Sequence, residues 1–163
     1  MKSLHLLIER FVGAGLEFVV VGGFAGVLHG SSYVTDGLDV CALLTAENIG
    51  KLRKALCDLR PVFRNTHDKR SYCDHAPVGE QLVNLSLKTD AGIVDVLGNI
   101  LGLGDFNITS QNAIEVPLFG RLCRVISLED LIKAKEAIGR EIDLLTAKEL
   151  RAIAAKRAQA KES

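Results

Sequence analysis

The stretch "LEFVVVGGFAGVLHG" most limits what this chain can fold into. An unbroken apolar run from Phe18 to Val21 meets two glycines, Gly22 and Gly23, and a short helical pattern follows. An apolar run without alternation suits a strand covered on both faces, and paired glycines let the backbone leave it through a tight turn. Such a turn feeding a helix presents free backbone N–H groups to an anion such as phosphate. The dinucleotide-binding version of that motif does not fit. Gly22, Gly23 and Gly26 do not make G-x-G-x-x-G, and "HGSS" stops the helix before it can run on to a crossover.

Other segments extend this unit into an α/β domain with a mixed sheet and flanking helices. Leu4, Leu7, Ile8 and Phe11 recur at helical spacing, and Gly13 and Gly15 end that helix. "LDVCALL" reads as a strand, and Thr45 caps a helix whose apolar stripe is Ile49, Leu52, Leu56 and Leu59. Pro61 stops it, and "PVFR" begins a short strand leading to a polar loop at 65–79. "QLVNLSL" and "GIVDVLG" are expected to form an antiparallel hairpin across "KTDA", and "NILGLGDFNITSQ" is expected to be a glycine-rich loop. Two more short strands flank Gly120. Ser127 with Asp130 signals a helix that Gly139 ends, and Thr146 with Glu149 signals a last helix fraying into "KRAQAKES". The expectation is one domain over 1–163, with C-terminal helices at about 127–158.

Charge and cysteine content narrow the function classes. Twenty basic residues balance twenty acidic ones, so the chain lacks the overall excess expected of a protein that grips nucleic acid by its phosphates alone. The N-terminal apolar run is broken by His5, Glu9 and Arg10, and no later stretch is long enough to span a membrane, so a cytoplasmic protein is expected. Cys41, Cys57, Cys73 and Cys123 form no C-x-x-C pair; most are expected to be core thiols in a reducing compartment. Cys73 lies near His67, Asp74 and His75. Clustering in a polar, turn-like segment is weak support for a metal or nucleophile site there, and a solvated loop is the expected reading.

The chemistry-bearing residues stand elsewhere. Asp39 sits in one strand and Asp95 in the middle of another, "GIVDVLG", with apolar neighbours on both sides. A carboxylate inside an apolar strand is costly to bury without a partner, and a divalent cation suits two of them. A solvated or salt-bridged aspartate at the sheet rim is the plain reading of either one alone. Two of them beside a phosphate-type glycine turn point to a shared cation.

"VVVGGFAGVLHGSSYVTDGLDV", "GIVDVLG" and "ISLEDLIKAKEAIGREIDLLTAKEL" together resemble the nucleotidyltransferase superfamily of polymerase-β-like fold, in its small bacterial and archaeal members, including those linked to toxin–antitoxin systems. The resemblance implies that Gly22 and Gly23 cradle a nucleoside triphosphate such as ATP, with Ser31, Lys135 and Arg140 also binding the nucleotide. It implies that Asp39 and Asp95 are catalytic and hold magnesium, two ions in the family pattern. The implied reaction is transfer of a nucleoside monophosphate to a hydroxyl on a protein, tRNA or small molecule. In that scheme Asp95 holds the catalytic ion and helps take the hydroxyl proton, while Asp143 completes the G-R-x-K-D segment.

Departures from the pattern fall at the site itself. Gly37 replaces the first aspartate of the D-x-D pair, Ile142 stands in place of a lysine, and Tyr33 stands where arginine is frequent. Asp36 is one residue off register, which turns its side chain to the other face of a strand. Impaired transfer is therefore expected. The alternative is a non-catalytic nucleotide- or RNA-binding pseudoenzyme or a toxin–antitoxin component.

Overall fold

The structure is a computed structural model that describes residues 3–33, 35–64, 70–74 and 83–162. Its framework is a seven-stranded mixed sheet of order β3-β4-β5-β2-β1-β9-β8. The central strands are β1 (Val19–Val21), β2 (Gly37–Cys41) and β5 (Gly92–Leu97). β1 runs antiparallel to β2, and β2 runs parallel to β5. On one side β4 (Asn84–Thr89) and the short β3 (Val62–Phe63) continue the sheet; on the other, β9 (Arg121–Val125) and β8 (Ile114–Leu118) complete it. β4 and β5 form the hairpin that the alternation predicts, and all three residues of β1 are buried.

Period-two alternation divides the β2, β4 and β5 side chains between two faces. Leu38, Val40, Leu85, Leu87, Val94 and Val96 join one hydrophobic core with residues of α1 (Leu4–Gly13) and α3 (Ala46–Leu56). Asp39, Asp95 and Ser86 fall on the opposite face and are only half-buried. α2 (Gly22–Leu28) leaves β1 directly through the glycine turn.

Beyond β5 the chain is more regular than the sequence predicts. The stretch expected to be loop holds the paired strands β6 (Asn99–Ile100) and β7 (Gly104–Asp105), followed by α4 (Phe106–Gln111). Asp105 caps α4 by accepting from the Ile108 N–H at 3.1 Å, and buried Phe106 anchors it. The glycines masked a helix too short to show periodicity. Ser127 caps α5 (Leu128–Ile138) through the Asp130 N–H, and Gly139 closes it in the left-handed region, as expected. α6 (Glu141–Glu162) departs from expectation at both ends. It starts before Thr146, whose hydroxyl bonds back to the Ile142 carbonyl at 2.8 Å and does not cap. At the far end it runs through the segment expected to fray, where Ala, Lys, Gln and Arg all favour helix.

The cysteines also correct the sequence reading. Cys41 and Cys123 are buried thiols, but Cys57 and Cys73 form a disulfide between the 3-10 turn after α3 and the segment after β3. A disulfide sulfur is neither nucleophile nor metal thiolate. His67 and His75 lie outside the described residues. Among the described residues no group of three or more metal-ligating side chains gathers, and no helix is long and apolar enough to cross a membrane.

Candidate active site

Strand register builds the site as a row across the open face of the sheet. Val21 stands opposite Asp39, Asp39 opposite Asp95 in the parallel β2–β5 pair, and Asp95 opposite Ser86 on β4. Arg64 follows β3, and its N–H donates to the Ser86 carbonyl at 3.1 Å, so it extends the same row. The fold thus brings the two sequence-identified carboxylates onto neighbouring strands at equal height, about 5 Å apart backbone to backbone.

Crowding two acids in a half-buried row has an electrostatic consequence. Burial, then the Asp95 charge, pushes the Asp39 carboxyl up to about 6, while the Lys135 and Arg64 cations pull it back. Arg64 Nη2 lies 3.3 Å from each Asp95 oxygen and donates a hydrogen bond to Oδ2. Asp95 Oδ1 is buried and, among the described residues, accepts no geometrically sound hydrogen bond, although the Arg64 guanidinium stands 3.3 Å from it and the Asp39 carboxyl is near enough to share a proton with Asp95. A buried carboxylate oxygen left this way is a place for a cation.

The glycine turn meets this pair at contact distance. Gly22 adopts φ +67°, and a Cβ placed on it would overlap Asp39 Oδ2. Only glycine lets the carboxylate lie against the start of α2. Gly23 is enclosed by Tyr33 and Thr35, each within 3.0–3.3 Å of where a Cβ would stand. Thr35 Oγ1 donates to the Gly37 carbonyl at 2.9 Å, which fixes the bend entering β2.

Gly37 faces the same side as Asp39, but its surroundings are closed. A Cβ there would lie 2.6 Å from the Ile93 carbonyl oxygen and 3.0 Å from Ile93 Cβ. The neighbouring strand leaves no room for a side chain where the sequence resemblance puts a carboxylate. Asp36 is exposed in the bend before β2.

Other expected nucleotide contacts are tied up among themselves. Asp143 is 1% exposed; it accepts from Arg140 at 2.6 and 3.2 Å, and Lys135 Nζ stands 3.7 Å away. Arg140 holds the Asp143 carboxyl below its ordinary range. Lys135 therefore bridges the α5–α6 junction and the field around Asp39. Ser31 is buried, and its Oγ accepts from the Tyr33 N–H at 3.1 Å. Neighbouring Ser32 donates from N and Oγ to Glu149 at 2.9 and 2.6 Å, which ties this loop to α6. The sequence reading singles out neither Arg64 nor Ser86, and it offers Glu149 only as a capping partner of Thr146, whereas in the fold Glu149 holds Ser32. The alternation of "NLSLKT" carries the signal for Ser86, since the hairpin register puts it opposite Asp95.

No family model matches the sequence, and no curated protein matches it either. Solved structures do match. The lincosamide antibiotic adenylyltransferase LnuA in its lincomycin-bound crystal structure is 17% identical, with TM-score 0.63 over 93% of this chain and 98% of that one. The antibiotic-resistance factor ANT(2'')-Ia matches in solution with TM-score 0.53 and 16% identity, over 98% of this chain and 92% of that one. Its crystal structure in complex with adenylyl-2''-tobramycin matches with TM-score 0.50 and 15% identity, over 91% and 95%. The resemblance read from the sequence therefore holds at the level of architecture: this chain has the nucleotidyltransferase fold.

Proposed function

We propose that this protein binds a magnesium–nucleoside triphosphate at the Asp39–Asp95 pair and transfers its nucleoside monophosphate to a hydroxyl acceptor at a reduced rate. The observation that carries the reading is the equal-height pairing of Asp39 and Asp95 against the Gly22 turn. Magnesium commonly takes one or two protein carboxylates and fills its remaining positions with water and phosphate oxygens. Asp39 and Asp95, whose Oδ1 accepts no hydrogen bond from the described residues, fit one such ion; with position 37 closed by Ile93, they do not fit the two-ion arrangement. When bound, the ion would polarise the transferred phosphoryl group and lower the pKa of a coordinated hydroxyl.

The chain's own residues perform the remaining work. The Gly22–Gly23 turn lets phosphate approach the backbone at the start of α2. Asp95 is the acceptor-side base, and Arg64 beside it opposes the negative charge that builds up during in-line attack. LnuA was solved with lincomycin and ANT(2'')-Ia with an adenylylated tobramycin, so a small hydroxyl compound is the acceptor class we place first, ahead of protein or tRNA.

Calorimetric titration of each nucleoside triphosphate with and without magnesium tests the reading, together with transfer of labelled nucleotide to a panel of small hydroxyl compounds. Magnesium-dependent binding that weakens about tenfold, ~1.4 kcal/mol, in both Asp39→Asn and Asp95→Asn is expected. Triphosphate binding indifferent to magnesium and to both substitutions would overturn the reading. Magnesium-dependent binding without transfer to any acceptor would leave a nucleotide-binding pseudoenzyme, which closure of position 37 favours.

A further inference from the structure

Two departures from the family pattern, Tyr33 and Ile142, lie far apart in sequence and meet in the fold. They face one pocket of about 170 Å³ between the Ser31–Tyr33 loop and the first turns of α6. Tyr33, Ile142 and Leu145 make apolar walls, 44, 49 and 60% exposed. Glu149 contributes a polar edge, its carboxylate accepting from Ser32. Apolar walls that include an aromatic face, with a hydrogen-bond acceptor at one edge, suit a flat ring bearing amino or imino hydrogens.

The position of the pocket identifies the ring. A Cβ on Gly23 would stand 3.0 Å from Tyr33 Cε1, and one on Gly22 would overlap the Asp39 carboxylate. Pocket and carboxylate pair therefore flank consecutive residues of one turn. A phosphate in the pocket would face Tyr33 and Ile142, while nearby Arg140 and Lys135 are engaged by Asp143. A ligand reaching both places would put its charged end beside Asp39 and its flat end against Tyr33.

We propose that this pocket receives the base of the bound nucleotide, stacked on Tyr33 and covered by Ile142 and Leu145. The inference rests on the nucleotide-binding reading above and deepens it: the base supplies affinity that the missing cations do not supply through phosphate. Base–aromatic stacking lost by truncation to alanine typically weakens binding about fivefold to a hundredfold.

Phosphate-free nucleosides in magnesium-free buffer separate this proposal from the metal site. Tyr33 and buried Tyr72 are the only tyrosines and tryptophan is absent, so ring resonances of the exposed tyrosine report binding directly. The expected result is nucleoside binding that shifts the Tyr33 ring signals, falls at least about fivefold in Tyr33→Ala and in Leu145→Ser, and is unchanged in Asp39→Asn. Both truncated side chains are exposed, so neither variant opens the core. Absence of nucleoside binding, or binding indifferent to Tyr33→Ala, would overturn the pocket assignment, while Asp39-dependent magnesium–triphosphate binding would survive. Concentration-dependent dimerisation abolished by Leu145→Ser, without nucleoside binding, would overturn it too and make this face a self-association surface. Nucleoside binding through Tyr33 with no effect of magnesium on triphosphate would uphold the pocket and remove the metal reading.

Discussion

At the scale of single residues, Gly37 changes meaning once the strands are in place. From sequence it is a missing carboxylate, and replacing it with aspartate should restore a ligand. In the structure a Cβ at that position runs into the Ile93 carbonyl of the adjacent parallel strand at 2.6 Å. A main-chain oxygen cannot swing aside as a side chain can, so β2 and β5 must part. Overpacking of this kind typically costs about 1–3 kcal/mol. Gly37→Ala and Gly37→Asp are both expected to lower the unfolding free energy by that amount, read as a lower urea midpoint at unchanged m, with magnesium recovering part of the loss only in the aspartate variant. Equal stability of Gly37→Ala and wild type would show that the strands part freely. Asp39 carries a second residue-scale expectation. Its carboxyl, raised to about 6, holds a proton in the folded state at a pH where the unfolded chain has lost it. The stability this group contributes is present below the unfolded value and lost as pH rises through 6. Metal-free Asp39→Asn should therefore be more stable than wild type near pH 7.5, on the order of 1 kcal/mol after screening, and should lose the wild-type decline between about pH 4 and 6. Thermal unfolding across that range checks both parts.

Elements explain why the cations read from the sequence are not simply available to phosphate. α5 and α6 join through Gly139, and Asp143 in the first turn of α6 is buried against Arg140 and Lys135. Favourable charge at a helix start and a charge-assisted bond make this junction a structural clamp. Asp143→Ala would leave Lys135, 15% exposed, without its closest carboxylate, and is expected to destabilise by about 2 kcal/mol or more. Because Arg140 holds the Asp143 carboxyl low, its stabilisation is present above the ordinary carboxylate range and is lost as pH falls through the depressed folded value. Asp143→Asn should accordingly unfold with a shallower pH dependence below about pH 4 than wild type. An unchanged acid limb would show that the clamp contributes nothing to folding.

Across the whole molecule, legibility follows the distance over which each feature is determined. The glycine turn, the apolar β1 and the two strand aspartates were readable because each is settled by a few neighbouring residues. Pairing of β4 with β5 was also readable, since a short turn joins them. The same hairpin register carries Ser86 opposite Asp95, whereas Arg64 is not readable, because β3 and β4 are separated by residues 64–83 and their register is not set by local pattern. Tyr33 and Ile142 stood out in sequence as separate anomalies, and only the docking of α6 on the Ser31–Tyr33 loop makes them one surface. That docking leads to an expectation for the molecule as a unit. A nucleotide that engages both the carboxylate row and the α6 pocket must couple the sheet to the helical pair, as binding to the folded state alone stabilises every segment the ligand holds. Hydrogen exchange with magnesium and a non-hydrolysable triphosphate should slow amides in Gly37–Cys41 and in the first turns of α6 together. Tyr33→Ala should uncouple them, keeping protection in β2 while α6 returns to its ligand-free rate. Protection confined to β2 in the unmodified protein would place the ligand on the sheet alone and leave α6 outside the site.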